Sequence, residues 1–312
     1  MRNALQFKVP ELKRVRMIID TDCKNEADDQ FALAHHLMTP MLDIRGIIAA
    51  HFECRKDEYG EHQTVHASYD EIQKILCLME LDGAYPVCLG ADRPMSDRHT
   101  PVPSNGARLI IEEAMKDDDR PLYVAFLGTI TDLASALLME PRIATRMTAI
   151  WIGGDTYPKG GWEFNMWQDI AAANVVFASG MEVWQIPQSA YKAVTVSLSE
   201  LQYRVSPCGK IGQYLFKQMV EFNDGAADSP NWPRGETWCL GDQPSIGVLL
   251  QDRENVTHTM QPAPQVDENC HYSFPGYAHQ IRVYDSVDVR LMLEDFYAKL
   301  ALHFHPMFRW QE

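Results

Sequence analysis

Val15-Arg16-Met17-Ile18-Ile19-Asp20-Thr21-Asp22-Cys23-Lys24-Asn25-Glu26-Ala27-Asp28-Asp29 carries an apolar run straight into a cluster of acids, and Gln30 to Met38 then continues with helical spacing. A short apolar run that ends in acids and is followed by a helix reads as a buried strand with its functional residues at the carboxyl end. The same rhythm recurs along the chain. Ile44 to Ala50, Pro86 to Leu89, Leu122 to Leu127 and Thr148 to Ile152 read as further buried strands, and Val183 to Ile186 and Ile281 to Tyr284 add two more. Between them lie helical patterns such as Ile72, Ile75, Leu76 and Met79, then Leu109, Ile110 and Ala114, then Leu133, Ala136 and Leu137. Ala171 to Ala178, Cys208 to Phe222 and Val287 to His303 continue the helices. Strands that alternate with crossover helices predict an α/β fold, with a mostly parallel central sheet flanked by helices. No repeat or low-complexity linker divides residues 1–312, so a single domain is expected.

Composition narrows the function. Lys+Arg 28 against Asp+Glu 43 leaves a net charge of -15, which repels nucleic acid and anionic membranes and favours a small neutral ligand. The 7 cysteines are scattered without a C-x-x-C pair, so reduced thiols in a cytoplasm are expected rather than disulfides or a zinc knuckle. Neither a signal-peptide core nor a membrane-length apolar run is visible. The sequon Asn255-Val256-Thr257 is then incidental.

Asp20, Asp22, Asp28 and Asp29 converge on one strand end and the following helix start. Asp28 or Asp29 could cap that helix, but capping needs one aspartate, and four close together repel one another unless a cation sits among them. Oxygen-only ligands suit calcium or magnesium rather than zinc.

The pattern Asp-x-Asp, a short turn, then Asp-Asp-x-x-Ala over Ile18 to Ala32 resembles the N-terminal signature of the nucleoside hydrolases, and three further blocks keep that family's order. Leu127-Gly128-Thr129-Ile130-Thr131-Asp132-Leu133-Ala134 is similar to its G-P-L-T-N-x-A segment. Glu163-Phe164-Asn165 with Asp169 is similar to its E-F-N…D segment, and Gly241-Asp242 to its late H-D pair. With Gly90-Ala91-Asp92-Arg93-Pro94, the likeness runs from about Ile18 to Leu249.

The resemblance implies hydrolysis of the N-glycosidic bond of a ribonucleoside with a bound Ca2+, in a homodimer or homotetramer. It implies that Asp22, Asp29, the Thr131 carbonyl and Asp242 hold the metal, with Asp22 also the general base. Asp28, Glu163 and Asn165 would bind ribose hydroxyls, and Asp20 would orient the other aspartates from behind. The chain departs from the family in places. Five residues stand between Asp22 and Asp28 where the family has three, which makes Asn25 a further ligand or ribose contact. His51 follows the second strand where Gly-Asn is usual, and reads equally as a ribose contact or as a hydrogen-bonded strand end. Gly241 replaces the late histidine, so no residue is assigned to protonate the leaving base.

Two loops, Thr156 to Gln168 and Asn223 to Gly241, carry Trp162, Trp167, Trp232 and Trp238 in or beside them. Trp238 is a candidate to stack on the base. His62-x-x-x-His66 lacks the Glu of a zinc helix and reads as a solvated helix face. Two other readings stay open. One is a haloacid-dehalogenase-type phosphatase built on Asp20-x-Asp22, although the Gly-Thr and second late Asp of that class are missing. The other is a nucleoside- or ribose-binding protein of low turnover.

Overall fold

The computed structural model describes residues 5–229, 232–233, 235–250 and 257–308, so most of the sequon and part of the second loop lie outside the described residues. Among the described residues twelve strands are present: β1 (Val15–Thr21), β2 (Leu42–Ala49), β3 (Val87–Leu89), β4 (Leu122–Phe126), β5 (Thr148–Ile152), β6 (Glu182–Ile186), β7 (Thr195–Ser197), β8 (Thr237–Cys239), β9 (His258–Pro262), β10 (Gln265–Val266), β11 (Tyr272–Ser273) and β12 (Gln280–Tyr284). The helices are α1 (Asp29–Leu37), α2 (Lys56–Tyr59), α3 (Thr64–Leu78), α4 (Asn105–Ala114), α5 (Thr131–Met139), α6 (Phe164–Gln168), α7 (Ile170–Ala178), α8 (Gln188–Tyr191), α9 (Leu198–Arg204), α10 (Gly209–Gly225), α11 (Pro244–Leu250) and α12 (Val289–Phe304).

Eight strands form the central sheet in the order β3-β2-β1-β4-β5-β6-β12-β9, parallel except where β9 runs against β12. The expected α/β architecture is therefore observed. Alternation along β1 explains its place at the centre. Met17 and Ile19 point into one apolar layer with Phe31 of α1, while Ile18 points into the opposite layer with Val124 and Phe126. Each such isoleucine contributes about 1.5–3 kcal/mol by leaving water, so a strand apolar on both faces is most stable at the centre of the sheet, covered from both sides.

The chain moves outward from β1 through β2 to β3, then returns to β4 on the other side. The connections diverge between β1 and β4, which opens a crevice at their carboxyl ends. Among the described residues no helix is long and apolar enough to cross a membrane. His62 adopts a left-handed φ of 61° before α3 begins, so it does not share a helix face with His66.

Candidate active site

The end of β1 is fixed from both sides. Leu127 N donates to Asp20 O at 2.8 Å and Ala50 N to Thr21 O at 2.9 Å. The chain then turns sharply, with Lys24 N and Asn25 N both donating to Asp22 O at 2.6 and 2.8 Å. This turn absorbs the long loop and returns Asp28 and Asp29 to the strand end. Neither acid is used up as a helix cap: Asp28 makes no side-chain cap bond to α1, and its Oδ2 instead accepts from Asp242 N at 3.2 Å. Asp29 Oδ1 accepts from the Thr21 hydroxyl.

One carboxylate oxygen each from Asp28, Asp29 and Asp242 lies within 4.8 Å of the others, all three residues buried. Asp22 stands beside them, with its Oδ2 buried and without a hydrogen-bond partner. Gly128 makes that position possible, because a Cβ there would lie 2.7 Å from the Asp22 carboxyl carbon.

Burial pushes all these carboxyls above their ordinary range. For Asp22 the neighbouring Asp29 and Asp28 add to the effect, and Asp29 is pushed up to about 7. Like charges packed away from water resist ionisation, and a dication reverses the balance. Crowded oxygens, an orphaned carboxylate atom and the absence of sulfur or imidazole from the set fit a hard divalent cation. Asp20 lies behind, fully buried, and neither of its oxygens has a partner, so it does not orient Asp22 through a hydrogen bond.

The aspartates open into a cavity of about 320 Å³, lined among others by Asn25, Glu26, Leu127, Glu163, Asn165 and Tyr191. Phe164, Trp162 and Trp232 supply its aromatic wall. Glu163 is the N-cap of α6: its Oε2 accepts from Gly154 N at 2.8 Å and Met166 N at 2.9 Å, and its Oε1 from Asn165 N at 3.2 Å. Asn165 Nδ2 donates to the Leu127 and Ile152 carbonyls at 2.7 and 2.9 Å. Asp169 is spent on structure, since it caps α7 and accepts from Met95 N and from the Thr131 hydroxyl.

Three expectations need correction. Thr131 does not face the cavity: it opens α5, where carbonyls are used inside the helix, and its hydroxyl is engaged by Asp169 and His51. The carbonyl at the carboxyl end of β4, that of Leu127, belongs to the residue that lines the cavity instead. His51 borders a neighbouring cleft with Trp167 and Gln168, not the aspartate cavity. Its Nδ1 accepts from Glu53 N at 3.4 Å and its Nε2 lies 3.0 Å from the Thr131 hydroxyl, which makes it a hydrogen-bonded strand end. Trp238 is fully buried in the core. It stacks on Trp232 with centroids 5.3 Å apart, and only Trp232 reaches the cavity.

Glu26, Leu127 and Tyr191 were not singled out by sequence. Glu26 lay in plain view within the acidic run. A main-chain carbonyl has no side-chain signature, and Tyr191 sits on a one-turn helix that periodicity does not reveal. The space beside Gly241 is taken by Tyr191: a Cβ on residue 241 would lie 3.1 Å from Tyr191 Cδ2 and 3.4 Å from Asp28 Oδ2.

Behind the cluster, Gln243 follows Asp242 directly. Its Oε1 is 2.8 Å from His35 Nδ1, and His35 Nε2 is 2.8 Å from Asp295 Oδ2 of α12. Lys299 Nζ also binds Asp295, and reaches the Thr39 hydroxyl at 3.0 Å.

A parallel sheet whose switch point holds buried aspartates beside an aromatic-walled cavity defines an open-sheet α/β protein with a carboxylate site for a hard cation. The chain belongs to the inosine-uridine preferring nucleoside hydrolase family, whose model matches residues 17–293. It is 25% identical over 187 residues to the pyrimidine-specific ribonucleoside hydrolase RihA of Salmonella enteritidis, a match covering 52% of this chain and 57% of the relative. The chain thus spans little more than half the length of that curated relative. Among solved structures, the purine-preferring ribonucleoside hydrolase of Gardnerella vaginalis superposes with a TM-score of 0.74 at 19% identity, covering 92% of this chain and 99% of the other. The inosine-uridine preferring nucleoside hydrolase of Bacillus anthracis gives 0.64 at 15% identity, with 93% and 99% covered. These two likenesses bear on the fold.

Proposed function

We propose that the protein hydrolyses the N-glycosidic bond of a ribonucleoside, releasing free ribose and base, with Ca2+ as the resident metal. The observation that carries this reading is the unpartnered, buried Oδ2 of Asp22 beside the Asp28, Asp29 and Asp242 carboxylates, at the floor of a cavity that also presents Glu163 and Asn165.

Calcium would be held by Asp22, Asp28, Asp29 and Asp242 together with the Leu127 carbonyl in place of Thr131. When bound it supplies Lewis acidity to water and to vicinal sugar hydroxyls. Asp22 Oδ2 takes the proton from the attacking water. Glu163, Asn25 and Asn165 grip ribose hydroxyls, and this positioning supplies much of the rate. The clustered carboxylates stabilise the positive charge that develops on the sugar ring as the bond to the base lengthens. Phe164, Trp162 and Trp232 offer faces for the base. No histidine stands between His99 and His258, so no imidazole from that stretch protonates the departing base. Good leaving groups such as nitrophenyl are therefore favoured over purine and pyrimidine bases. Seven free cysteines agree with a reducing, cytoplasmic setting.

The test is ribose release from a panel of ribonucleosides and nitrophenyl riboside by calcium-loaded protein, with Asp22→Asn as comparison. The variant loses on the order of 10²-fold or more in turnover. Ribose binding without release would make the protein a binder, and zinc or no divalent ion in the purified protein would overturn the metal assignment.

A further inference from the structure

The carboxylate of Glu163 is more elaborately held than a simple helix cap requires. Oε2 takes two backbone N–H groups at 2.8 and 2.9 Å, while Oε1 takes only the longer Asn165 N–H at 3.2 Å and then the Tyr191 hydroxyl at 3.0 Å. Tyr191 ends α8, just beyond β6, and lines the same cavity. One edge of its ring lies against Gly241, next to Asp28 of the cluster, and its hydroxyl end meets Glu163. The ring thus spans from the metal-type aspartates to the capping glutamate.

A ribofuranoside has a matching polarity. Its vicinal diol lies at one end and its hydroxymethyl group at the other. With the diol held at the aspartates and the base on the aromatic wall, as the function proposed above requires, the hydroxymethyl group is left for the Glu163 end. The buried carboxylate there takes the Tyr191 proton and repels a phosphate. Tyr191 cannot donate elsewhere while its proton is given to Glu163, so its phenolic oxygen is left as an acceptor.

We propose that Tyr191 is a substrate-contacting specificity residue. It offers its hydroxyl oxygen, whose proton is held by Glu163 Oε1, to the 5′-hydroxyl of the sugar, and selects ribosides with a free hydroxymethyl group over 5′-deoxy and 5′-phosphorylated ones. Because Tyr191 fills the space beside residue 241, its ring also accounts for the absence of a side chain there.

The test uses the full chain loaded with calcium, and kcat/KM for inosine and uridine beside their 5′-deoxy counterparts. Tyr191→Phe keeps the ring and its packing while removing the hydroxyl. The preference of the wild type for the 5′-hydroxyl substrate falls on the order of 10-fold in the variant, the size expected for one hydrogen bond in a charged network. A ring with a purely structural role lowers both substrates equally and leaves the ratio unchanged. An unchanged ratio therefore overturns the proposal, whatever happens to the absolute rates. Should wild-type protein cleave none of the nucleosides, the hydrolase reading fails separately. Calorimetric titration with ribose and 5-deoxyribose then reads the same ratio, and a variant that discriminates between them as the wild type does overturns the role of Tyr191.

Discussion

Gly128→Ala isolates the placement of Asp22, the carboxylate proposed as general base. The backbone at residue 128 has no left-handed φ, so alanine is conformationally tolerated. Its methyl group would nonetheless stand 2.7 Å from Asp22 Cγ and Oδ1, where ordinary contact begins at 3.4 Å. The backbone cannot easily yield, because the Gly128 carbonyl accepts from Trp151 Nε1 at 3.1 Å and Leu127 N is bonded to Asp20 O at 2.8 Å. Asp22 must therefore move by the difference, 3.4 − 2.7 = 0.7 Å. A shift approaching 1 Å at a reacting group costs up to about 10²-fold in rate, and overpacking costs about 1–3 kcal/mol of stability. Steady-state ribose release, calcium affinity by calorimetry and a thermal melt on the same preparation separate these effects. The expected outcome is a folded protein with weakened calcium binding and a turnover loss on the order of 10²-fold. A folded Gly128→Ala protein that binds calcium and turns over like the wild type would refute the placement of Asp22.

Three further outcomes are expected. Trp238→Ala destabilises the fold by about 3–5 kcal/mol, as truncation of a buried tryptophan does, and Trp232→Ala weakens nucleoside binding with a smaller loss of stability; chemical denaturation and nucleoside titration of both variants decide it, and reversed effects would put the base against Trp238. His51 is held neutral by burial, with its pKa pushed down to about 3. An unfolded histidine titrates near 6.5, so the unfolded chain gains protons first as pH falls and stability is lost below about 6.5; between pH 7 and pH 5 the wild type loses about 2 kcal/mol more than His51→Asn in paired denaturation curves, and parallel losses would show that His51 is charged or exposed. Asp242→Asn lowers calcium affinity while the fold persists, and calorimetry showing an unaltered calcium isotherm would remove Asp242 from the metal set.

Much of this was legible in sequence because the sheet is buried on both faces. Thr148 to Ile152 matches β5 to the residue, and the other strands of the main sheet that sequence picked out, β1 to β4, β6 and β12, differ only at their ends. Burial forces apolar runs, and apolar runs can be read. The clustering of Asp28 and Asp29 was legible for the same kind of reason, since adjacent acids leave few satisfactory arrangements. Short, partly exposed pieces were not. The one-turn helix α8, which carries Tyr191, has no period to detect, and β9 to β11 lack long apolar runs. Thr131 misled because a motif names side chains while the oxygen wanted is a main-chain one, and the strand end places Leu127 there. Trp238 misled because proximity to a loop in sequence says nothing about direction: pairing of β8 with β7, Trp238 opposite Val196, turns the indole into the core.

The tie from Gln243 through His35 to Asp295 gives the cluster a sequence of assembly. Asp28 and Asp242 are 214 positions apart, and the His35 to Asp295 link spans 260. A chain emerging from the ribosome presents the first aspartates early, and they wait, mutually repelling, until the late ones arrive. The segment holding Asp242 is further braced, through Gln243 and His35, when α12 docks. The aspartate cluster is thus complete only when parts of the chain far apart in sequence have docked, and a disturbance in α12, away from the cavity, is expected to reach it through His35 and Gln243.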